Sequence, residues 1–486
     1  MFRKVFFSLL AFSFFTTALP QVDAREKYEN FRQKAVGEYV DFRKKANLSY
    51  ANFMRRAWGN YQQMLPIPKP KEEVLPPIAM PKEDRDNPIG NNPIHIEDVV
   101  VPPMPQPQPR PISPIREQPQ PQEDIFNFTF YGIECKVRFP LGSSLSIAQC
   151  DKGNLANAWE ILSEKKYDNT IRDCLALREQ CKLCDWAYIK LLKHMSELRW
   201  GKTNEATLLT AYIYCQSGYD IKLGVSNGCL CLLYASRQII YDQAYYTING
   251  KHYYPLENIS GSMSICDASF PEEKPLDLSI QSCMSLTYSA TPERTIQSKR
   301  FPELKAIVRT NKNLLDFYSS YPSSMANNDF MTRWAFYANT PLEEIAKEGL
   351  YGCLKPMIEG LDSKEAVERL LNFVQTGFDY EYDNNIWGGD RAFFAEETLF
   401  YPFCDCEDRS ILFSRIVRDL LGLKVVLVYY PGHLATAVEF PDSVQGDYIT
   451  IDNDRYTICD PTYIDAPVGR TMPGMQNAIA KAIILK

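Results

Sequence analysis

Residues 404–423 read CDCEDRSILFSRIVRDLLGL, and this stretch decides the fold expected for the last third of the chain. Two acids open its periodic part, and apolar residues then recur at the spacing typical of an amphipathic helix. Gly422 follows the last of them, where a helix usually ends. The pattern predicts a helix from Cys406 to Leu421, with Cys406 at its N-terminus and Cys404 just outside it.

The segments on either side of this helix predict an α+β domain. Residues 364–378 (KEAVERLLNFVQTGF) have the period of an amphipathic helix, and an aromatic, Gly-rich loop follows at 380–394. Helices followed by a run of strands are typical of helices packed on an antiparallel sheet. Four segments after the helix have strand composition: VVLVYY, HLATAVEF, GDYITI and RYTICD.

Three polar residues in this region fit nucleophilic chemistry. A helix N-terminus lowers the pKa of a cysteine, because unpaired N–H groups and the helix dipole favour the thiolate at Cys406. A thiolate nucleophile needs a base, and His433, which opens a predicted strand, is the histidine of this region. Asp460 ends the following hairpin and can fix the imidazole tautomer. The pattern predicts nucleophile, base and orienting acid in that order.

Taken together, CEDRSILFSRIVRDLLGL, GHLATAVEF and CDPTY resemble the core of the transglutaminase-like superfamily, which has a papain-like fold. The resemblance covers about residues 364–468 and implies a catalytic triad of Cys406, His433 and Asp460. It implies an enzyme that acts on amide bonds of proteins or peptides through a thioester, as peptidase, deamidase or cross-linker. The segment AEETLFYPFCDCEDRS is similar to exported bacterial members. Because the family includes inactive members, a non-catalytic binding or scaffold module of the cell envelope stays open.

Each triad residue also has a purely structural interpretation: a buried thiol or disulfide partner, a hydrogen-bonded sheet histidine, and a turn acid. In another interpretation, Cys404, Cys406, His433 and Cys459 are the four ligands of a zinc site. Residues two apart at a helix start do not share a face, and Cys459 should point away from Asp460. No metal and no cofactor is therefore expected. A redox role, in which Cys404 traps an oxidised Cys406, stays open.

The surroundings of the triad suggest where a substrate would lie. The loop 384–394, with Trp387 and two glycines, is expected to form a rim of the substrate cleft. The Cys406 N–H is expected to supply part of the oxyanion stabilisation. Leu434 follows the histidine where the family often has an aromatic residue, and Asp405 precedes the cysteine where an aromatic or a glycine is usual.

Residues 1–24 predict a secretory signal peptide. Arg3 and Lys4 precede an apolar run at 5–15, and a small-x-small pattern ends at Ala24. The alternative is an uncleaved anchor, but the run is short for a membrane span. The chain is expected to be exported, periplasmic or secreted, with no membrane span after cleavage.

Residues 25–65 carry an 11-residue repeat, in which a Tyr-x-x-Phe pattern begins at Tyr28, Tyr39 and Tyr50. This period corresponds to about 3.67 residues per turn and places the aromatics on one stripe of a helix. Two interpretations are open for this stripe. It docks on the body of the protein, or it supports self-association or binding to a partner.

Residues 66–124 hold 17 of the 33 prolines and lack cysteine and aromatic residues. The composition predicts an extended, polyproline-like linker that separates the helix from the globular body. The net charge of the chain is −7, which gives no electrostatic reason to expect nucleic acid as a partner. Fourteen cysteines make disulfides plausible in an exported chain, but their pairing is not given by sequence.

Residues 125–300 are expected to form a second α+β domain before the catalytic domain at 301–486. A helix at 204–217, a glycine and the strand IKLGV repeat the order seen around the candidate nucleophile. Aligning the two glycines brings Cys406 to about 202–204, where no cysteine occurs. A degenerate copy of the same core and a chance likeness both remain open, as do an independent domain and a lid.

Overall fold

The computed structural model describes residues 42–71, 75, 77–119 and 122–486 of the chain. It is a mixed α+β protein with two six-stranded sheets, each packed against a buried helix. The predicted signal peptide and the first part of the 11-residue repeat lie outside the described residues. Within the described ranges, no helix combines the length and the apolar character needed to span a membrane.

The first half of the chain begins with short elements, continues with a group of helices, and ends in strands. The helices are α1 (42–54), α2 (Lys82–Arg85), α3 (Lys152–Leu162), α4 (Asp168–Gln180), α5 (Asp185–Trp200) and α6 (Asn204–Gln216), with a 3₁₀ turn at Lys165–Tyr167. The strands are β1 (Trp58–Tyr61), β2 (Ile96–Val100), β3 (Glu123–Phe130), β4 (Ile133–Pro140), β5 (Ile221–Ser226), β6 (Cys229–Ala235), β7 (Ile239–Ile240), β8 (Tyr246–Ile248), β9 (Lys251–Pro255) and β10 (Met263–Cys266).

The second half repeats the order of helices followed by strands. The helices are α7 (Lys312–Tyr318), α8 (Thr332–Asn339), α9 (Glu344–Ile358), α10 (Ser363–Gly377), α11 (Asp383–Ile386), α12 (Ala395–Phe400) and α13 (Cys406–Leu421). The strands are β11 (Arg294–Gln297), β12 (Lys305–Val308), β13 (Ser324–Met325), β14 (Asp379–Tyr380), β15 (Phe403–Cys404), β16 (Val425–Tyr430), β17 (His433–Glu439), β18 (Tyr448–Ile451), β19 (Asp454–Cys459) and β20 (Ala480–Ile484).

The two large sheets have the same strand order. The first reads β1-β10-β5-β6-β9-β8, and the second reads β2-β20-β16-β17-β19-β18. In each, a buried helix (α6 or α13) precedes the two central strands and packs on them. In each, a tight hairpin follows, built on residues that tolerate positive φ: Asn249-Gly250 and Asp452-Asn453. The sheets differ at the edge, because β1 is antiparallel to β10 whereas β2 is parallel to β20.

The predicted boundary at residue 300 falls inside a hairpin. Strand β11, which precedes it, pairs with β12 and packs on α10 of the second half. The β7 strand of the first half pairs with β13. One apolar core also contains side chains of both halves, for example Tyr188 of the first half and Leu427 of the second. The two units therefore share packing, and the second begins before residue 300.

The Pro-rich segment is not a free spacer. Its described residues are mostly extended but include the short helix α2, β2 adds a strand to the second sheet, and Met80, Ile94 and Val100 are buried. The correction has a physical reason, since prolines remove N–H donors but leave carbonyls and apolar side chains that pair and pack. The segment is thus part of the folded body and contacts both units.

Within the described residues, the 11-residue repeat docks on the body through Tyr50, whereas Phe42 of the same aromatic stripe is 44% exposed. Tyr50 is 2% exposed and packs on Trp159 with ring centroids 4.7 Å apart. Phe53, from the same Tyr-x-x-Phe pattern, is 43% exposed. The helix ends earlier than predicted, because Trp58–Tyr61 forms β1 and pairs with β10.

All fourteen cysteines are free thiols in the structure, and most are buried in the cores. Cys181 and Cys184 of the CKLC stretch are half-buried and buried, at the turn that joins α4 to α5. These thiols therefore contribute to the structure as small apolar side chains.

The paired environments of Tyr50 and Phe53 give a stability test. Tyr50→Ala is expected to lower the free energy of unfolding by about 3 kcal/mol, because it leaves a cavity against Trp159. Phe53→Ala, the matched control, should cost less than about 1 kcal/mol. Urea unfolding followed by tryptophan fluorescence measures both. Equal losses for the two variants would contradict the docked arrangement of α1.

Candidate active site

Helix α13 begins at Cys406, as predicted, and Gly422 ends it in the left-handed conformation with φ of 67°. Asp405 caps the helix: its side chain accepts hydrogen bonds from the N–H groups of Glu407 and Asp408. The Asp408 side chain accepts from the Asp405 N–H in return, which completes a capping box. The cap fixes Cys406 as the first helical residue.

Cys406 lines a cavity of about 260 Å³ together with His433. The thiol is only 4% exposed. Ser410, one turn further along α13, donates to the carbonyl of Leu434 at 2.8 Å, so the helix is tied to the start of β17. The Leu434 N–H in turn bonds to the Cys406 sulfur. These contacts bring the first turn of α13 against the residue that follows His433.

The predicted partners His433 and Asp460 are in direct contact. Nε2 of His433 lies 2.8 Å from Oδ2 of Asp460. Because a carboxylate accepts only, Nε2 carries the proton in this pair. Within the described part of the chain, Nδ1 of His433 is buried and has no hydrogen-bond partner. Nδ1 is therefore the nitrogen left to exchange a proton with a group in the cavity.

Gln375 of α10 fixes the loop that carries Asp460. Its Nε2 donates to the carbonyls of Asp460, Tyr463 and Ala466 at 2.9, 2.8 and 3.1 Å. Oδ1 of Asp460 accepts from the Thr462 N–H at 2.9 Å, so the carboxylate is held from both sides. Gln375 was not predicted from sequence, since only the fold brings α10 next to this loop.

Carboxylates form one wall of the cavity. Asp383, Asp390 and Glu407 line it, and Glu407 accepts from Trp334 Nε1 at 2.6 Å. Arg333 of α8 bonds to Asp390 at 2.6 Å and to Glu407 at 3.2 Å. Burial raises the pKa of Glu407 well above its ordinary value. For Asp390, the charges of Arg333 and of a nearby lysine outweigh burial and lower the pKa.

The electrostatic surroundings disfavour a thiolate at Cys406. Burial raises the pKa of the thiol well above its ordinary value, and the charges of Asp405 and Glu407 raise it further. The hydrogen bond from Leu434 acts in the opposite direction but is outweighed. The net direction is therefore opposite to the one expected from the helix N-terminus alone. Asp405 already occupies the N–H groups of residues 407 and 408, which would otherwise favour the anion.

The acidic wall is also the place where metal ligands come closest together. Among the side chains that the structure describes, Asp383, Asp390 and Glu407 form the one group of potential ligands within 4.8 Å of one another. Such oxygens suit Ca²⁺ or Mg²⁺. Arg333 and Lys69 already place two positive charges on this group, with Lys69 Nζ 3.6 Å from Asp390 Oδ2. The wall is therefore held by protein cations.

The two other cysteines considered for this site, Cys404 and Cys459, and the expected rim loop differ in where they lie relative to the cavity. Cys404 lies in a separate apolar core from Cys406, with its sulfur 3.8 Å from the Asp379 carbonyl, and Cys459 is in that same core. In the expected rim loop, Asn384 and Asp390 line the cavity. Trp387 of that loop packs on Phe393 and Tyr401 instead.

The equivalent corner of the first sheet carries different side chains. Asn204 is the first residue of α6, and its Oδ1 accepts from the Leu230 N–H at 2.8 Å, much as the Leu434 N–H bonds to Cys406. Cys229, which opens β6, stands where His433 opens β17. The Leu256 N–H donates to the carbonyl of Leu232, the fourth residue of β6, and Cys459 pairs with Thr436, the fourth residue of β17. Leu256 and Cys459 are therefore equivalent, and Glu257 takes the place of Asp460. The first unit therefore lacks the Cys-His-Asp set.

Asp383 offers a pH test of the acidic wall. Burial and the charge of Glu407 raise its pKa to about 7. Since the unfolded value is about 3.9, ionising Asp383 costs stability as the pH rises through the window between these values. Asp383→Asn keeps the oxygen that accepts from the Arg391 N–H at 2.6 Å. The variant is expected to be more stable than the wild type at pH 8, by about 1–4 kcal/mol, and similar at pH 4.

Urea unfolding between pH 4 and pH 8 measures this difference. The exposed Asp379, a short distance before it in the chain, provides the matched control Asp379→Asn, which should leave the pH dependence unchanged. A difference between Asp383→Asn and the wild type that does not vary with pH would show that Asp383 is ionised throughout.

Comparisons with protein-family models, with curated proteins and with solved structures gave no match for this chain. The interpretation of the site therefore rests on its own geometry. Helix α13 supplies Cys406, β17 supplies His433, and the end of β19 supplies Asp460. A thiol and an oriented imidazole in one cavity are the chemical elements that the site offers.

Proposed function

We propose that the second unit is a transglutaminase-like, papain-like core and that the protein is an exported cysteine enzyme acting on amide bonds of proteins or peptides. The observation that carries the proposal is the His433–Asp460 hydrogen bond, which leaves Nδ1 of His433 unbonded beside the cavity that Cys406 lines. Export is supported by the signal-like pattern of residues 1–24 alone.

The proposed reaction begins when Nδ1 of His433 takes the proton of the Cys406 thiol. The thiolate attacks the amide carbonyl carbon, and Asp460 stabilises the imidazolium. The amide nitrogen leaves with the proton from His433, and a thioester remains on the Cys406 sulfur. Water then releases a carboxylic acid, as in a peptidase or deamidase, whereas an amine gives a cross-link. The Cys406 N–H, which has no partner within its own helix, is available to the oxyanion.

The raised pKa of Cys406 shapes this mechanism. A buried thiol beside Asp405 and Glu407 stays protonated unless the proton moves to a neighbour that becomes positively charged. His433 is the neighbour able to do this, because Asp460 stabilises its cation. Reactivity should therefore depend on His433 more strongly than for a cysteine whose thiolate the helix alone stabilises.

The raised pKa of Cys406 also favours a second candidate function. If the proton does not move to His433, Cys406 is an inert buried thiol, and the cavity serves a non-catalytic module that binds peptides in the cell envelope. The two candidates share the cavity and its acidic wall. They differ in whether Cys406 reacts in the folded protein.

Alkylation of Cys406 by iodoacetamide separates the two candidates. For the enzyme, we expect Cys406 to react below pH 8 in the folded, reduced protein, at least about tenfold faster than the buried Cys404. His433→Ala should abolish this reactivity. Mass mapping of the labelled peptides reads the rate at each cysteine.

Two controls make the result interpretable. His252→Ala removes a half-buried histidine of the first unit and should leave the rate at Cys406 unchanged. Cys404, which is buried two residues away, should label only on unfolding. A Cys406 that labels no faster than Cys404 would overturn the enzyme and leave the binding module.

A further inference from the structure

Described residues at the start of the Pro-rich segment contact Asp390 and Gly432, which line the cavity of the candidate site. We call residues 66–71, 75 and 77–80 the strap. Its first part pairs with the first unit: the Asp242 N–H donates to the Ile67 carbonyl at 2.9 Å, and the Lys69 N–H donates to Asp242 Oδ1 at 3.3 Å. Its last part pairs with the loop after Asp460, since the Met80 N–H donates to the Ile464 carbonyl at 2.9 Å.

Lys69 reaches from the strap to the acidic wall. Its Nζ donates to the Asp390 carbonyl and lies 3.6 Å from Oδ2 of the same residue. The side chain of Lys69 is 14% exposed, which is low for a lysine in a Pro-rich segment. Its charge also acts on Asp383, whose pKa it lowers against the larger effects of burial and Glu407. The wall is thus partly neutralised by a residue from outside the second unit.

Leu75 bonds to the opposite side of the mouth. Its N–H donates to the carbonyl of Gly432 at 3.0 Å, directly before His433. Its carbonyl accepts from the Tyr380 hydroxyl at 3.4 Å, and Tyr380 pairs with Cys404, two residues before Cys406. Leu75 therefore lies against the residues next to the candidate base and nucleophile.

These contacts have the form of a bound peptide. Main-chain hydrogen bonds hold an extended segment at Ile67, Leu75 and Met80, and one charged side chain enters a site of opposite charge. We propose that the strap occupies the substrate groove of the proposed enzyme and that the groove accepts an extended peptide segment whose lysine pairs with Asp390. The strap then acts as an internal competitor, and substrate binds when the strap leaves.

The proposal rests on the proposed function for the identity of the site, but binding does not require a reactive thiol. The test therefore uses Cys406→Ala protein, so that loss of catalysis and loss of binding are distinguishable. The probe is a fluorescein-labelled hexapeptide PIPKPK, the sequence of residues 66–71. Fluorescence anisotropy measures its dissociation constant.

In the Cys406→Ala background, Lys69→Ala is expected to bind PIPKPK about tenfold more tightly than the parent. The parent binds more weakly because only the fraction of molecules with an open strap can accept the peptide. Lys71→Ala is the matched control, since Lys71 is exposed and lies outside the ion pairs of the wall. It should bind like the parent. The peptide PIPAPK should lose binding to the Lys69→Ala protein, whereas PIPKPA should retain it.

A second measurement uses the parent without strap substitutions, in case Lys69→Ala fails to fold. Excess PIPKPK should displace the strap and speed hydrogen exchange at the chain's own Lys69 amide, and PIPAPK should not. Equal affinity of the Lys69→Ala protein and the parent, or equal effects of the two peptides, would overturn the proposal. The strap would then be a structural tie only. Peptide binding with an unreactive Cys406 would sustain this inference while the enzyme fails.

Discussion

The burial of the first turn of α13 is the constraint on which the second unit depends. Residues 405–409 comprise four charged residues and Cys406, and all five are at most 5% exposed. A helix N-terminus buried in this way needs a partner for each polar group, because an unpaired buried donor or acceptor costs about 1–3 kcal/mol. The partners come from several separate elements, so this turn fixes their relative positions.

Three side chains of the turn each bond to a different element. Asp408 accepts from the Phe393 N–H, which anchors the rim loop. Arg409 donates to the carbonyls of Gln375 and Phe378, which anchors the end of α10. Glu407 accepts from α8 through Arg333 and Trp334. The geometry of the candidate site is thus a consequence of satisfying a buried helix start.

The matching strand orders of the two sheets show how much of this arrangement belongs to the scaffold. In the first unit Asn204 makes the contact to the next strand that Cys406 makes in the second. An amide is a neutral group that bonds well to the N–H of Leu230, whereas a thiol is a weak acceptor. The first unit therefore keeps the more stable contact, and the second keeps a group with reactive chemistry. This difference is the one expected if the two units arose by duplication and the first no longer carries the thiol.

Short-range sequence patterns predicted the elements whose formation depends mainly on neighbouring residues. The α13 bounds, the strands β6 and β16, and the hairpin at Asn249-Gly250 follow from periodicity and turn residues. The strand β20 was not predicted, because AKAII is short and alternates only weakly, and its place between β16 and β2 is set by the sheet. The His433–Asp460 contact and the presence of Cys406 and His433 in one cavity could be predicted because the spacing of these residues follows the elements. The acidic wall could not, since Asp383, Asp390 and Glu407 meet only in the folded chain.

The Pro-rich segment shows a further limit of composition as a guide. Proline excludes helix and removes donors, so such a segment has few ways to satisfy its own backbone. An extended chain with unpaired carbonyls is, for the same reason, suited to lie along another backbone that supplies N–H groups. The Asp242 N–H and the Tyr380 hydroxyl donate in this way to the carbonyls of Ile67 and Leu75. Composition predicted the conformation of the segment, and the donors left open by the fold decide where it lies.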